Sequence, residues 1–135
     1  MIVLDASLIN KLFLPYESGR DQVKVMVQNH LLGLEEIIVP ELLIYEVANT
    51  LATKTDILLP QSLESLSQLC NLNLKIVAFS EEAMKRTIEF AKKYKVTVYD
   101  ASYAVLAKQK RCDLITADEK FVKAVKLPFV KTLSE

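Results

Sequence analysis

The chain has 135 residues, 51% of them hydrophobic and 25% charged, with 17 basic side chains balancing 17 acidic ones. That length and balance describe one globular domain, residues 1–135, able to bury a core without disulfides or metals as props, and they exclude a disordered linker. No apolar run approaches the roughly 20 residues that span a bilayer, and Met1–Asp5 lacks the basic flank and cleavage site of a signal peptide. A cytoplasmic protein with no membrane partner is expected.

In chain order, Ile2–Leu4 reads as a buried first strand ending at Asp5. Ser7 to Leu14 is a short helix stopped before Pro15. A second helix, Ser18 to Leu32, carries Val23, Val27 and Leu31 at i, i+4 and i+8 and stops at Gly33. Ile37–Val39 is another buried strand, and Pro40 suits the first turn of the helix that follows. That helix, Glu41 to Lys54, carries Ile44, Ala48 and Leu51 on one face. A break at Thr55–Leu59 precedes a helix from Pro60 through Leu69; core packing is the expected role of Ile57, Leu58 and Leu59.

Lys75–Phe79 reads as a strand, and Ser80 with Glu81 and Glu82 then supplies an N-cap and acids for the positive end of a helix. Val96–Val98 follows, then a helix starting near Asp100. Asp113–Thr116 is a strand, Glu119 to Val125 a short helix and Phe129–Lys131 a last short strand. Strands alternating with helices predict an α/β fold with a central, largely parallel sheet and helices on both faces. The chain has only two glycines, so the glycine-rich loops that cradle nucleotide phosphates are absent.

Cys70 and Cys112 are isolated thiols in apolar sequence, expected as small buried hydrophobes in a reducing compartment. His30 is the only histidine, at a helix end, so neither a zinc site rich in imidazole nor paired-histidine chemistry can be built. Any bound metal is then held mainly by oxygen, which points to Mg²⁺, Mn²⁺ or Ca²⁺. Charge is segregated along the chain: residues 1–84 hold 5 basic and 11 acidic side chains, a balance of −6, and residues 85–135 hold 12 and 6, a balance of +6.

Open parallel sheets bind ligands beyond the carboxyl ends of their strands, and acids are placed for that edge. Asp5 follows the first strand, Asp118 follows Leu114–Thr116, and Asp100 lies at the helix start after Val96–Val98. Glu46 lies one to two turns into the helix after Ile37–Val39, with Asn49 on its face at i+3. Each has a structural alternative: Asp100 and Asp118 as N-caps, Asp5 bonding the amides of its turn, Glu46 as a solvated helix residue. Convergence of all four on one edge calls for a cation or raised pKa values. A divalent ion with oxygen ligands is the simplest resolution, and it suits phosphoryl transfer or hydrolysis.

The motifs Val3–Ser7, Glu46–Leu51, Tyr99–Ala104 with Ala107, and Leu114–Phe121 together resemble those of PIN-domain proteins, the small prokaryotic ribonucleases of the VapC toxin type most of all. The likeness extends over essentially the whole chain. It implies a three-layer α/β/α sandwich, and an acidic site of Asp5, Glu46, Asp100 and Asp118 holding Mg²⁺ or Mn²⁺. Ser7 and Thr116 are implied as supporting polar residues rather than nucleophiles, and Asn49 as a hydrogen-bonding partner of a carboxylate or water. Some family members carry a further acidic or amide residue after the fourth motif, where Glu119 is the candidate here. The implied reaction is endonucleolytic hydrolysis of RNA by a metal-activated water, in a homodimer restrained by a small VapB-like antitoxin.

An RNA track would draw on Lys85, Arg86, Lys92, Lys93, Lys108, Lys110 and Arg111, and the Thr55–Pro60 break has dimer or antitoxin contact as its alternative role. Three other readings stand beside the toxin: a PIN-type nuclease of RNA processing without an antitoxin, a non-catalytic RNA- or protein-binding module, and a phosphoacceptor domain. The last would want several acids after the first strand, where Asp5 stands alone.

Overall fold

The computed structural model of the chain describes residues 1–54 and 56–133. Its sheet contains β1 (Ile2–Leu4), β2 (Ile37–Pro40), β3 (Lys75–Val77), β4 (Asp113–Thr116) and β5 (Val130–Thr132), all parallel, in the order β3-β2-β1-β4-β5. The inner strands are mostly apolar: Val3, Leu4, Ile37, Ile38 and Val39 are fully buried, and Leu114 nearly so. Strands buried on both faces need helices on both sides, which is why parallel sheets occur as the middle layer of a sandwich.

Those layers are supplied by α1 (Ala6–Ile9), α2 (Arg20–Leu31), α3 (Leu42–Thr53), α4 (Leu59–Asn71), α5 (Glu81–Tyr94), α6 (Val98–Lys110) and α7 (Glu119–Val125), with a 3-10 turn at Asn10–Leu12. Helix α6 crosses β1, β2 and β4 and buries the run Tyr103–Ala107. Helices α1 and α3 pack together, touching β4 and β2, with Leu43, Val47 and Leu51 as the buried line of α3. The result is the three-layer α/β/α sandwich.

The path of the chain creates one special place in this sheet. It steps outward from β1 to β2 to β3, then returns to lay β4 on the other side of β1 and β5 beyond it. The strand order reverses between β1 and β4, and the crevice beyond their carboxyl ends is where open sheets of this kind take ligands.

Several local expectations differ from the structure, each for a physical reason. Pro40 closes β2, opposite Val77, instead of opening α3; with no N–H to donate, it suits the end of a strand. The buried line of α3 runs through Leu43 and Val47, one residue out of phase with Ile44 and Ala48, which are half-buried. Leu31 is 56% exposed because α2 outruns the core that covers Val23 and Val27. Val96–Val98 forms no strand: Thr97 is the N-cap of α6, its hydroxyl accepting from Asp100 N–H at 3.1 Å.

Thr55 lies outside the described residues. Of its neighbours, Ile57 packs against the core, but Leu58 and Leu59 are 66% and 70% exposed. Cys70 is exposed and Cys112 half-buried, both free thiols. His30 is structural: Nδ1 accepts from Ile37 N–H and Nε2 faces the Asn73 carbonyl, both at 2.9 Å, which ties the end of α2 to the start of β2.

Candidate active site

Asp5 is the first residue past β1, and its backbone N–H still reaches the Ile115 carbonyl of β4. The carboxylate turns into the switch-point crevice and caps α1, accepting from Leu8 N–H at 3.3 Å. One oxygen also accepts from the Ser7 hydroxyl, and the other accepts from the Thr116 hydroxyl at the end of β4. Thr116 is fully buried, and its oxygen accepts from Asp118 N–H at 3.0 Å. Ser7 in turn accepts from Ala117 N–H at 3.0 Å. Two hydroxyls thus sew the ends of β1 and β4 together around one carboxylate. Both hydroxyls donate to Asp5.

Asp118 is the N-cap of α7, accepting from Phe121 N–H at 3.0 Å, and it is exposed. Asp100 sits in the first turn of α6, half-buried. Glu46, also half-buried, comes from the first turns of α3, where its carboxylate accepts from the Tyr103 hydroxyl at 2.5 Å. Tyr103 is one turn beyond Asp100 on α6, so a single helix delivers one acid and the anchor of another.

These carboxylates act on one another. Burial pushes Asp5 upward from its ordinary pKa, more than the bonds from Ser7, Thr116 and Leu8 N–H pull it down, and the Asp100 charge adds to the rise. Glu46 is raised by burial and by the charges of Asp100 and Asp5, against the opposing Tyr103 bond. Asp100 is raised by burial and by the Asp118 charge, against the Thr97 hydroxyl. Burial and the facing Glu46 carboxylate push the Tyr103 phenol far upward, so it remains a donor.

None of these acids is in an ion pair among the described residues; the pairs present join Met1–Glu35, Lys11–Glu17, Lys75–Glu36, Arg86–Glu82 and Lys131–Asp113. Acids from four separate elements therefore concentrate negative charge in a crevice with no protein cation to offset it. Hard oxygen donors carrying unpaired charge fit a divalent cation by their chemistry. Among the described residues, no three acidic, histidine or cysteine side chains are already drawn together at metal-holding distance. Asp5 already accepts from two hydroxyls and from the Leu8 N–H.

Asn49 and Glu119 are not drawn into this network. Both are exposed, and neither side chain makes a hydrogen bond among the described residues. Two residues that matter to the site were not singled out from sequence for a role, Thr97 and Tyr103. Thr97 and Asp100 stand three apart in a capping pattern that marks a helix start. Tyr103 follows Asp100 by one helical turn, the spacing at which two side chains share a face.

The profile of the PIN domain matches residues 2–127. Ribonuclease VapC3 of Pyrobaculum aerophilum is 32% identical over 136 residues, which cover 97% of this chain and 98% of that protein. Among solved structures, a toxin–antitoxin complex from Klebsiella pneumoniae has a TM-score of 0.73 at 19% identity, covering 98% of each chain. FitAcB from Neisseria gonorrhoeae has a TM-score of 0.72 at 19% identity, covering 100% of this chain and 99% of that one, and at such identities the likeness is one of fold. The sheet order, the switch-point acids and the profile agree: the chain belongs to the PIN domain family.

Proposed function

We propose that this chain, acting as one domain over residues 1–135, is a Mg²⁺- or Mn²⁺-dependent endoribonuclease and the toxin half of a toxin–antitoxin pair. The observation that carries the reading is that Asp5, Glu46 and Asp100 are raised by burial and by neighbouring carboxylates, and none of them, nor Asp118, has a cationic partner among the described residues. The 32% identity to a ribonuclease of the VapC kind supplies the substrate class.

In this reading Asp5, Glu46, Asp100 and Asp118 hold the cation. A bound Mg²⁺ or Mn²⁺ supplies an activated water and offsets the charge that develops on the phosphate. The chain's own residues keep that site in shape. Ser7 and Thr116 fix both oxygens of Asp5, Tyr103 fixes Glu46, and Thr97 sets the first turn of α6 from which Asp100 projects. Asn49, as a partner of a carboxylate or water, and Glu119, as an additional acid, belong to this reading as exposed residues. No side-chain nucleophile is required, in keeping with a single histidine that is used in the fold.

Partners of two kinds belong to the proposal, a second copy of the chain and a small antitoxin. Support comes from an apolar cavity of about 430 Å³ beside α3, α5 and α6, whose rim exposes Tyr45, Phe79 and Tyr99; clustered exposed aromatic side chains on a soluble protein mark a surface that another molecule covers. The cytoplasm is the proposed location, and no helix among the described residues is long and apolar enough to cross a membrane.

The test is RNA cleavage by the purified protein with Mn²⁺, Mg²⁺ or EDTA, beside Asp5→Asn and Asp100→Asn. Cutting that needs the metal and disappears in both variants is expected. Cutting that survives both substitutions, or that persists in EDTA, would overturn the reading.

A further inference from the structure

The carboxylate site makes no ion pair with the cations of the chain's second half among the described residues. Of the cations there, Arg86, Lys93 and Lys108 come together, lining one cavity of about 530 Å³ between α5 and α6 with Tyr94 in its wall. Glu89 is the only acid in that lining. The Lys93 ammonium lies over the Tyr94 ring, 5.3 Å from its centre. Arg86 is held by Glu82 at 2.8 Å, whereas Lys93 and Lys108 have no acid within ion-pair distance among the described residues.

Lysines in the last turn of a helix complement its negative end, and that accounts for Lys93 on α5 and Lys108 on α6 taken singly. It does not account for their meeting Arg86 and an aromatic ring at one concavity. Cations that follow a backbone, with rings beside them, are the signature of a groove for single-stranded nucleic acid. The groove shares helix α6 with the carboxylate site, toward that helix's other end. Helix α6 carries Asp100 in its first turn and Lys108 eight residues later, about 12 Å along the axis.

We propose that this α5–α6 cavity is a second contact for single-stranded RNA, its lysines binding phosphates of a strand whose scissile linkage lies at the carboxylates. The contact presupposes that the chain acts on RNA. It supplies affinity and reach for longer substrates, and takes no part in the bond broken.

The probe is a labelled, unstructured RNA of about 20 nucleotides, its binding followed by fluorescence anisotropy across a KCl series with Ca²⁺ in place of the active metal. Wild type is compared with Lys93→Gln/Lys108→Gln and with Lys93→Arg/Lys108→Arg; both lysines are exposed, so the fold tolerates either change. Losing two phosphate contacts makes the slope of log K against log salt shallower by about 1.4, so that going from about 50 to about 200 mM costs wild type roughly sevenfold more affinity than the glutamine variant. The arginine variant keeps the wild-type slope. Cleavage of an oligonucleotide too short to reach the cavity is unchanged by the glutamine pair, while cleavage of the long RNA falls. Equal slopes for wild type and the glutamine variant would overturn the second contact while leaving the nuclease reading intact. Wild-type protein that neither binds nor cuts RNA would overturn both.

Discussion

The chain turns from strand to helix twice at the sheet's switch point, from β1 into α1 through Asp5 and from β4 into α7 through Asp118. Locally the two junctions share φ and a capping bond, while ψ differs (176° and 93°). Each Asp is extended (φ −87° and −88°) and accepts the N–H of the residue three further on, Leu8 or Phe121. Their surroundings differ. Asp5 is enclosed by Ser7, Thr116 and the sheet, and burial raises its pKa, whereas Asp118 stands exposed at the rim and acts through its charge on Asp100. The same helix-capping chemistry therefore serves two ends: one carboxylate is buried at a cost in solvation, and the other helps to raise a neighbour. A cap needs neither arrangement.

Asparagine caps a helix about as well as aspartate, so replacing either residue separates cap from charge. Asp5→Asn is expected to lower metal-dependent RNA cleavage by at least about a hundredfold, the upper range for residues that merely support a ligand, with little loss of α1. Asp118→Asn is expected to lower cleavage as well while relieving Asp100, whose titration by NMR then moves down toward the ordinary carboxylate range. An unchanged Asp100 titration would show that the two junctions are electrostatically separate.

The next effect in size concerns stability without metal. Asp5, Glu46 and Asp100 all have raised pKa values, so the folded protein holds protons that the unfolded chain has released. Their stabilising contribution is full below the ordinary carboxylate range and is lost as pH rises through the raised values. In EDTA the melting temperature is therefore expected to fall from mildly acidic to neutral pH, and Asp100→Asn should flatten the fall. Mg²⁺ or Mn²⁺ at a hundredfold excess over Kd should restore about 2.7 kcal/mol at neutral pH. A melting temperature indifferent to both pH and metal would break the account of the crowded acids.

Thr116 joins the two junctions, donating to Asp5 and accepting from Asp118 N–H. Thr116→Val keeps the shape and removes both bonds, leaving a buried carboxylate oxygen short of a donor; a loss of about 2 kcal/mol in urea denaturation is expected. Tyr103→Phe removes the bond to half-buried Glu46 together with the hydroxyl's backbone bond to Ala6, and about 1.5 kcal/mol is expected, with Glu46 titrating higher still. If Tyr103→Phe proved costlier than Thr116→Val, the α3–α6 contact rather than the junctions would be the anchor of the site.

What was legible in the sequence follows from which signals are local. The strands beneath the site, Ile2–Leu4 and Asp113–Thr116, announce themselves as apolar runs ending in an acid or hydroxyl, and Glu119–Val125 has the bounds expected. Val96–Val98 has the β-branched residues of a strand yet forms none, because the Thr97 hydroxyl caps the next helix. The register of α3 was lost because leucine, isoleucine and alanine on adjacent faces satisfy more than one helical phase; only packing against β2 selects Leu43 and Val47. Pairings across long separations, Glu46 with Tyr103 and Asp5 with Thr116, carry no local mark at all. The charge halves do not divide the function: Asp5 and Glu46 come from the acidic half and Asp100 and Asp118 from the basic half, so the site is built across the division.

The smallest effect sharpens the contrast between the junctions by asking what proximity alone is worth. Glu119 adjoins Asp118, yet it is exposed and bonded to nothing among the described residues, and it lies in the first turn of α7, where any acid favours the helix end slightly. Glu119→Gln should change stability by no more than about 0.5 kcal/mol and leave the melting response to Mn²⁺ intact. If the substitution instead removed part of that response, Glu119 would have to turn inward when the cation binds. The β4–α7 junction would then contribute two acids to the site against one from β1–α1, reversing the order of importance that burial assigns to them.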